Sequence, residues 1–244
     1  DGAQLEATGR FRTKTVNGRW WLIDPEGYLF FSIGTSMTGW KSETSANPER
    51  ANGNFFSYLP GEDDYLHWTG IKKINGQKFV NFPSLNYRRY FGENWQDTVR
   101  QGIHDRMRSW GLNTLGCWSD QSLQLDRKTP YVLISSIWWQ SSGHRKFPSP
   151  FRENFQSDIE KNLKRLSWAK NDPYCLGVFI GNELEWPDRI GKKIMDLPSK
   201  HPTKLWAMKE LKQLGVDTDN PSEKELDQLY LPFVQTFFQK CKAA

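Results

Sequence analysis

The pattern of apolar and polar positions near the start of the chain predicts a β-hairpin. Residues 11–16 alternate, Asn17-Gly18 supplies a favoured two-residue turn, and residues 19–24 form the returning strand. Residues 28–34 are almost all apolar, which is typical of a strand covered on both faces. Residues 41–94 lack sustained periodicity, so we expect a functional loop or a small elaboration there.

Helical spacing appears further along the chain. Apolar residues recur every three or four positions over 99–110, with Gly111 closing the helix, and again over 155–166. A capping box formed by Ser222 and Glu225 starts a last helical pattern, which Pro232 should kink or restart.

Apolar segments of strand length lie between these helices, at 113–118, 131–138 and 176–184. Together with the segment near residue 30, they alternate with helices, which predicts an α/β fold with a parallel sheet. We expect the strands to lie side by side in chain order.

Composition and charge exclude several classes of protein. The 244 residues contain 37% hydrophobic residues and carry a net charge of +5 without a basic stripe, which argues against disorder and nucleic-acid binding. No apolar stretch approaches the roughly 18 residues of a membrane helix.

The three cysteines show no metal-ligand spacing, so we expect them to be small buried hydrophobic residues, and we expect no metal or cofactor. The sequence begins at Asp1 with no signal-peptide pattern, so we expect any such peptide to be absent from it.

Aromatic content is unusually high. Twelve Trp, eight Tyr and fifteen Phe make up 14% of the residues. A Trp side chain combines a large apolar face with a polar N–H, which suits binding surfaces as well as interiors. Because sugars present C–H faces that stack on such rings, this surplus favours carbohydrate binding.

The segment with the clearest chemistry is the end of the strand at 176–184, where Asn182 and Glu183 are followed by Glu185 and Trp186. Carboxylates at the carboxyl end of a buried parallel strand face the mouth at which barrel enzymes do chemistry. A Glu in a partly desolvated site can act as a general acid, and the preceding Asn can bind a substrate hydroxyl. Glu183 could instead cap the next helix or pair with an Arg. Glu185 is the rival carboxylate and is expected to bind substrate or face solvent.

The other strand ends carry similar residues. Trp118 and Asp120 follow the strand at 113, and Trp138 and Trp139 end the strand at 131. Any one of these Trp residues could be a core residue. Taken together with Trp186, they predict a cleft lined by aromatic rings.

Several of these segments resemble the β-agarases of glycoside hydrolase family 50. Ser109-Trp-Gly-Leu-Asn-Thr114 and Asn182-Glu-Leu184 are specific in combination. The resemblance runs along nearly the whole chain, through Ala3–Phe11, Gly18–Gly27, Phe30–Gly34, Phe55–Pro60, Arg108–Asp120 and Asn171–Tyr174. Two positions depart from the family pattern: Ser149-Pro-Phe-Arg152 stands where Asp-Pro-Phe-Asp is usual, and Gly181 stands where an Asp commonly precedes the Asn-Glu pair.

The resemblance implies a (β/α)8 TIM barrel that hydrolyses β-1,4 links of agarose-type galactans with retention, in a secreted or periplasmic protein. It implies that Glu183 is the acid/base and Asn182 its substrate-binding neighbour. The predicted partner is a galactan polysaccharide or oligosaccharide, with no nucleic acid and no membrane. We expect residues 1–28 to form a hairpin leading into the barrel, and residues 29–244 to form a partial barrel with a loop insertion at about 41–94.

A retaining glycosidase needs a second carboxylate about 5–5.5 Å from the first, and in such barrels it comes from a late strand. Only about four barrel strands are recognisable here, so we expect the nucleophile beyond residue 244 and about half a barrel within the chain. The alternative function is that of a carbohydrate-binding or catalytically inactive relative that uses the same aromatic cleft.

Overall fold

The structure is a computed structural model that describes residues 4–40, 45–46, 72–74, 77–135, 149–184 and 189–244. The strands are β1 (Arg12–Val16), β2 (Arg19–Ile23), β3 (Leu29–Phe30), β4 (Gly34–Thr35), β5 (Ser45–Ala46), β6 (Lys72–Ile74), β7 (Gln77–Asn81), β8 (Thr114–Leu115), β9 (Tyr131–Ser135) and β10 (Cys175–Ile180). The helices are α1 (Phe82–Phe91), α2 (Trp95–Ser109), α3 (Gln121–Leu125), α4 (Phe155–Lys164), α5 (Ile190–Met195), α6 (Pro202–Gln213), α7 (Glu223–Asp227) and α8 (Tyr230–Ala243).

The central sheet has the order β10-β9-β8-β4. The pairs β4–β8 and β8–β9 are parallel. Strand β10 runs in the same direction as β9, because the Tyr131 amide donates to Tyr174 at one end of the pair and the Gly181 amide donates to Ser135 at the other. The prediction of an α/β fold with a parallel sheet in chain order is therefore confirmed.

The N-terminal hairpin is confirmed as well. Strands β1 and β2 are antiparallel, and the turn residues Asn17 and Gly18 have φ values of 50° and 75°, as a tight hairpin turn requires. The apolar segment at 28–34 is not one covered strand. It divides into β3, which pairs with β2, and β4, which starts the parallel sheet. Phe31, between the two, is 70% exposed.

The segment predicted as a loop insertion contains secondary structure of its own. Strands β5, β7 and β6 form an antiparallel sheet, and α1 follows it directly. The Asn81 side chain caps α1 by accepting from the Ser84 amide at 3.1 Å, and it also donates to the Trp40 carbonyl. These bonds connect the insertion to the chain that follows β4.

The helix ends follow the short-range signals. Gly111, with φ of 71°, terminates α2, and its amide and that of Leu112 donate to the Arg108 and Met107 carbonyls. The capping box of Ser222 and Glu225 is formed at the start of α7. A new helix starts two residues before Pro232, so the proline lies in a first turn, where its missing N–H removes no bond.

The chain separates into two compact units, residues 1–133 with 172–177 and residues 134–171 with 178–244. In the first unit Trp40, Trp95 and Val99 form a small cluster. A core of the second unit is built from α4 to α8. Gly191 lets α5 approach Leu226 closely, because a Cβ at Gly191 would lie 2.3 Å from the Leu226 carbonyl oxygen. The division into a hairpin and a partial barrel stays a prediction.

A buried carboxylate fixes the amino ends of β9 and β10. Asp172 accepts from the Tyr131 hydroxyl at 3.0 Å, from Arg127 Nε at 3.1 Å and from the Tyr174 amide at 3.0 Å. Burial and the bond to Asp172 raise the pKa of Tyr131. These amino ends are therefore held by polar contacts.

Candidate active site

The loops that leave the carboxyl ends of β4 and β8 are joined by backbone hydrogen bonds. The Gly116 amide donates to Thr35 O and the Met37 amide donates to Cys117 O, both at 2.8 Å. The Asp120 amide donates to Thr38 O at 2.8 Å as well. The two loops therefore hold a fixed register for several residues beyond the strands.

Side chains and glycines tighten this junction. Ser119 Oγ donates to Gly116 O at 2.7 Å and accepts from the Thr38 amide at 3.2 Å. A Cβ on Gly116 would lie 2.6 Å from Ser36 Oγ, and one on Gly39 would lie 2.6 Å from Asp120 Cβ. The close approach of the two loops therefore requires glycine at both positions.

Trp118 lies on this junction in a left-handed conformation, with φ of 60°, and its side chain is 51% exposed. Its role in an aromatic cleft stays a prediction. A ring held on a constrained backbone and open to solvent can stack on a ligand at a small cost in conformational entropy.

Asp120, the other residue predicted here, is only 6% exposed. It is the N-cap residue of α3, and its Oδ1 accepts from Ser122 Oγ at 3.3 Å. The carboxylate therefore has local bonding to α3, and its contact with substrate stays a prediction.

Beyond β10 the backbone turns sharply. Gly181 and Glu183 have φ values of 77° and 49°, and the Gly181 amide donates to Ser135 O at 3.1 Å. Asn182 and Glu183 are both exposed. Gly181, which departs from the family pattern, thus occupies a position where glycine adopts the required conformation without strain.

The expectation that β10 is a fully buried strand is wrong. Val178 is 37% exposed and Phe179 is 56% exposed. The reason is that β10 is the end strand in the order of the central sheet, so within the described residues only β9 pairs with it.

The remaining predicted site residues lie outside the described residues; they are Trp138, Trp139, Glu185 and Trp186. Met37 is an exposed residue of the same junction as Trp118 that the sequence analysis did not select. No local pattern in the sequence marks this position.

Titratable groups near the junction offer no reactive thiol. Burial raises the pKa of the Cys117 thiol, which keeps it protonated.

Across the described ranges, no group of three or more His, Cys, Asp and Glu residues is arranged to hold a metal ion. No helix in the described part of the chain is long and apolar enough to cross a membrane.

Comparison with curated proteins reveals two agarases. The chain is 29% identical to β-agarase B of Vibrio sp. (strain JT0107) over 226 aligned residues, covering 76% of this chain and 23% of that protein. It is 27% identical to β-agarase A of the same organism over 202 residues, covering 71% of this chain and 19% of that protein. The chain thus spans less than a quarter of these relatives. No protein-family model matches it.

Solved structures show the same fold. The crystal structure of an agarase superposes with a TM-score of 0.82 at 24% identity, covering all of this chain and 41% of the other. An exo-β-agarase superposes with a TM-score of 0.81 at 22% identity, covering 98% of this chain and 45% of the other. The resemblance to β-agarases that the sequence motifs indicated is therefore confirmed.

Proposed function

We propose that the chain is part of a glycoside hydrolase that cleaves β-1,4-galactosidic links in agarose-type polysaccharides with retention of configuration. The observation that carries this proposal is the similarity to two β-agarases over 71–76% of the chain. The Asn182-Glu183 pair beyond a parallel strand supports it, because such strand ends carry catalytic groups in barrel enzymes.

In this proposal Glu183 is the general acid/base. It protonates the leaving glycosidic oxygen in the first step and activates water in the second. The residue is exposed, and its backbone is left-handed, with φ of 49°. Asn182 binds a sugar hydroxyl next to the cleaved bond.

The other predicted residues bind the galactan. Trp118 has the exposure that stacking on a sugar ring requires. By their sequence positions, the same role is proposed for Trp138, Trp139 and Trp186, and a polar binding role for Asp120 and Glu185.

The proposed architecture is the first half of a (β/α)8 barrel. Its parallel sheet of four strands in chain order supports this architecture. We place the nucleophilic carboxylate in the part of the agarases that this chain does not span, since the second group must lie about 5–5.5 Å from the acid/base. Hydrolysis of agarose by the 244 residues alone would contradict that placement.

The site of action in this proposal is outside the cytoplasm, because a polysaccharide does not cross a membrane unaided. The protein is then secreted or periplasmic, and it uses no cofactor. A binding protein without turnover is the other candidate, but no specific observation favours it, since both named relatives are enzymes.

The test is a pair of substitutions in the enzyme that contains this chain. Glu183→Gln keeps the shape of the side chain but cannot supply a proton, so we expect agarose turnover to fall by about 10²–10⁴ while oligosaccharide binding is retained. Glu185→Gln is the matched control, and a smaller loss is expected. If Glu185→Gln abolishes turnover and Glu183→Gln is nearly silent, the acid/base assignment is wrong.

A further inference from the structure

Met37 combines two unfavourable features at one position. Its φ of 57° lies in the left-handed region, which side chains of this kind rarely adopt, and its side chain is 49% exposed. The same loop has glycine at 39, where φ is 136°. The segment therefore has glycine at one left-handed position and an exposed apolar side chain at the other.

The conformation of Met37 is imposed by its surroundings. Its amide donates to Cys117 O at 2.8 Å, and the hydroxyl of Thr38 donates to Thr35 O at 3.0 Å. Trp118, the residue after Cys117, is left-handed and half exposed as well. The hydrogen-bonded junction of the two loops thus presents two exposed apolar side chains beyond neighbouring strands.

Strained backbone that the surrounding structure fixes is concentrated at functional sites. Asn17, a left-handed residue in the turn of the N-terminal hairpin, has a local explanation, since it forms a two-residue turn with Gly18. No such turn explains Met37, whose conformation depends on bonds to a distant segment. An exposed thioether side chain is polarizable and adapts its shape to an apolar surface.

We propose that Met37 is a substrate-binding residue that forms, together with Trp118, an apolar ledge beyond β4 and β8, against which the C–H face of a galactose ring packs. This inference rests on the proposed function and extends it, since it assigns a sugar-binding position to the loop after the first parallel strand. The Thr38 amide donates to Ser119 Oγ across the junction, and each of these two side chains also donates to a carbonyl of its own loop, which holds the ledge in place.

Substitution of Met37 by glycine removes the side chain and does not strain the backbone. Glycine adopts a φ of 57° freely, so Met37→Gly should not lower the melting temperature. Loss of the apolar surface should raise the Kd for an agaro-hexasaccharide by about fivefold, measured by isothermal titration calorimetry. Met37→Leu should restore the Kd to within about twofold of the original value, because a volume-conserving apolar side chain replaces the thioether.

Asn17→Gly is the matched control. It makes the same kind of change at a left-handed residue in the hairpin turn, and it should leave the Kd unchanged. Trp118→Gly serves as the reference for the proposed site and should weaken binding by more than Met37→Gly does.

The outcomes separate the two claims. If Trp118→Gly weakens binding while Met37→Gly binds as the original chain does, Met37 is not a substrate-binding residue and the proposed function stands. If Met37→Gly weakens binding and also lowers the melting temperature, and Met37→Leu does not restore the Kd, the weaker binding results from loss of the fold and the inference fails. These affinities are measured in the enzyme that contains this chain, and if that enzyme binds no agaro-hexasaccharide, both claims are overturned.

Discussion

At the scale of single residues, His104 is the described histidine most enclosed by the fold. Its ring has no exposed surface, Nδ1 lies 2.9 Å from Thr129 Oγ1, and Nε2 lies 3.3 Å from Asp126 Oδ2. Burial lowers the pKa of His104, and the smaller, opposite effect of Asp126 does not cancel it. In the neutral ring, Nε2–H donates to the Asp126 carboxylate and Nδ1 accepts from the Thr129 hydroxyl, so both ring nitrogens have hydrogen-bond partners.

This arrangement makes stability depend on pH. The pKa in the folded chain lies below the ordinary value of about 6.5, so the unfolded chain binds the proton first as the pH falls. The contribution of His104 is complete above about pH 6.5 and is lost progressively below it. We expect the urea midpoint to fall between pH 7 and pH 5, in a titration followed by circular dichroism.

His104→Gln removes the titrating group and keeps an amide donor for Asp126. The decline with pH should become shallower in this variant, although part of it should remain, because burial also lowers the pKa of His201. An unchanged slope would show that His104 does not contribute to it.

Residue-scale features of the candidate site are the least accessible to sequence reasoning. The exposure of Trp118 and the conformation of Met37 arise from hydrogen bonds between segments about 80 residues apart, and no local pattern encodes them. Trp110 shows the same limit, since helical spacing predicts a buried position and yet it is 67% exposed. It is the C-cap residue that follows the last turn of α2, and the Arg106 guanidinium lies 5.7 Å from the centroid of its ring.

At the scale of elements, the junction of β4 and β8 depends on the absence of a side chain at Gly34. A Cβ there would lie 1.8 Å from the Thr114 carbonyl oxygen, which is part of the neighbouring strand and cannot move without breaking the pairing. Gly34→Ala should therefore destabilise the fold by about 1–3 kcal/mol, as overpacking does. Chemical denaturation measures this change.

Gly102 provides the opposite case. It lies inside α2, and a Cβ there would meet nothing within 4 Å. Gly102→Ala should stabilise the chain by about 0.5–1 kcal/mol, because alanine restricts the unfolded backbone. Equal effects at Gly34 and Gly102 would contradict the close packing of β4 on β8.

Elements marked by local signals are the ones that the sequence predicts correctly. Asn17-Gly18, Gly111 and the capping box of Ser222 and Glu225 each act within a few residues, and each forms as expected. The division of 28–34 into β3 and β4 has no local signal, because both parts are apolar and their partners lie elsewhere in the chain. The sequence does not predict helix α1, because residues 82–91 have little apolar periodicity.

At the scale of the whole molecule, the alternation of strands and helices was sufficient to predict the order of the parallel sheet. It could not predict the exposure of β10, which depends on the number of neighbours that a strand has. Unpaired, apolar strand edges promote association between chains. Phe179 on β10 is 56% exposed, and it is the largest such side chain on that strand.

We therefore expect the 244-residue chain to self-associate as its concentration rises, and Phe179→Lys to reduce this association. Analytical ultracentrifugation compares the two chains. Phe238→Lys is the control, since Phe238 is 45% exposed on a helix and presents no strand edge. If Phe238→Lys suppresses association and Phe179→Lys does not, the strand edge is not the cause.

The assignment of Glu183 as the proton donor is the central claim, and the dependence of its removal on the leaving group tests it most directly. In the enzyme that contains this chain, kcat/KM of Glu183→Gln is measured on an agaro-oligosaccharide and on an aryl glycoside with a good leaving group. We expect a loss of about 10²–10⁴ on the oligosaccharide and a much smaller loss on the aryl glycoside, whose departure needs little proton donation. Equal losses on the two substrates would contradict the account, because a residue that only binds or positions the sugar affects both alike.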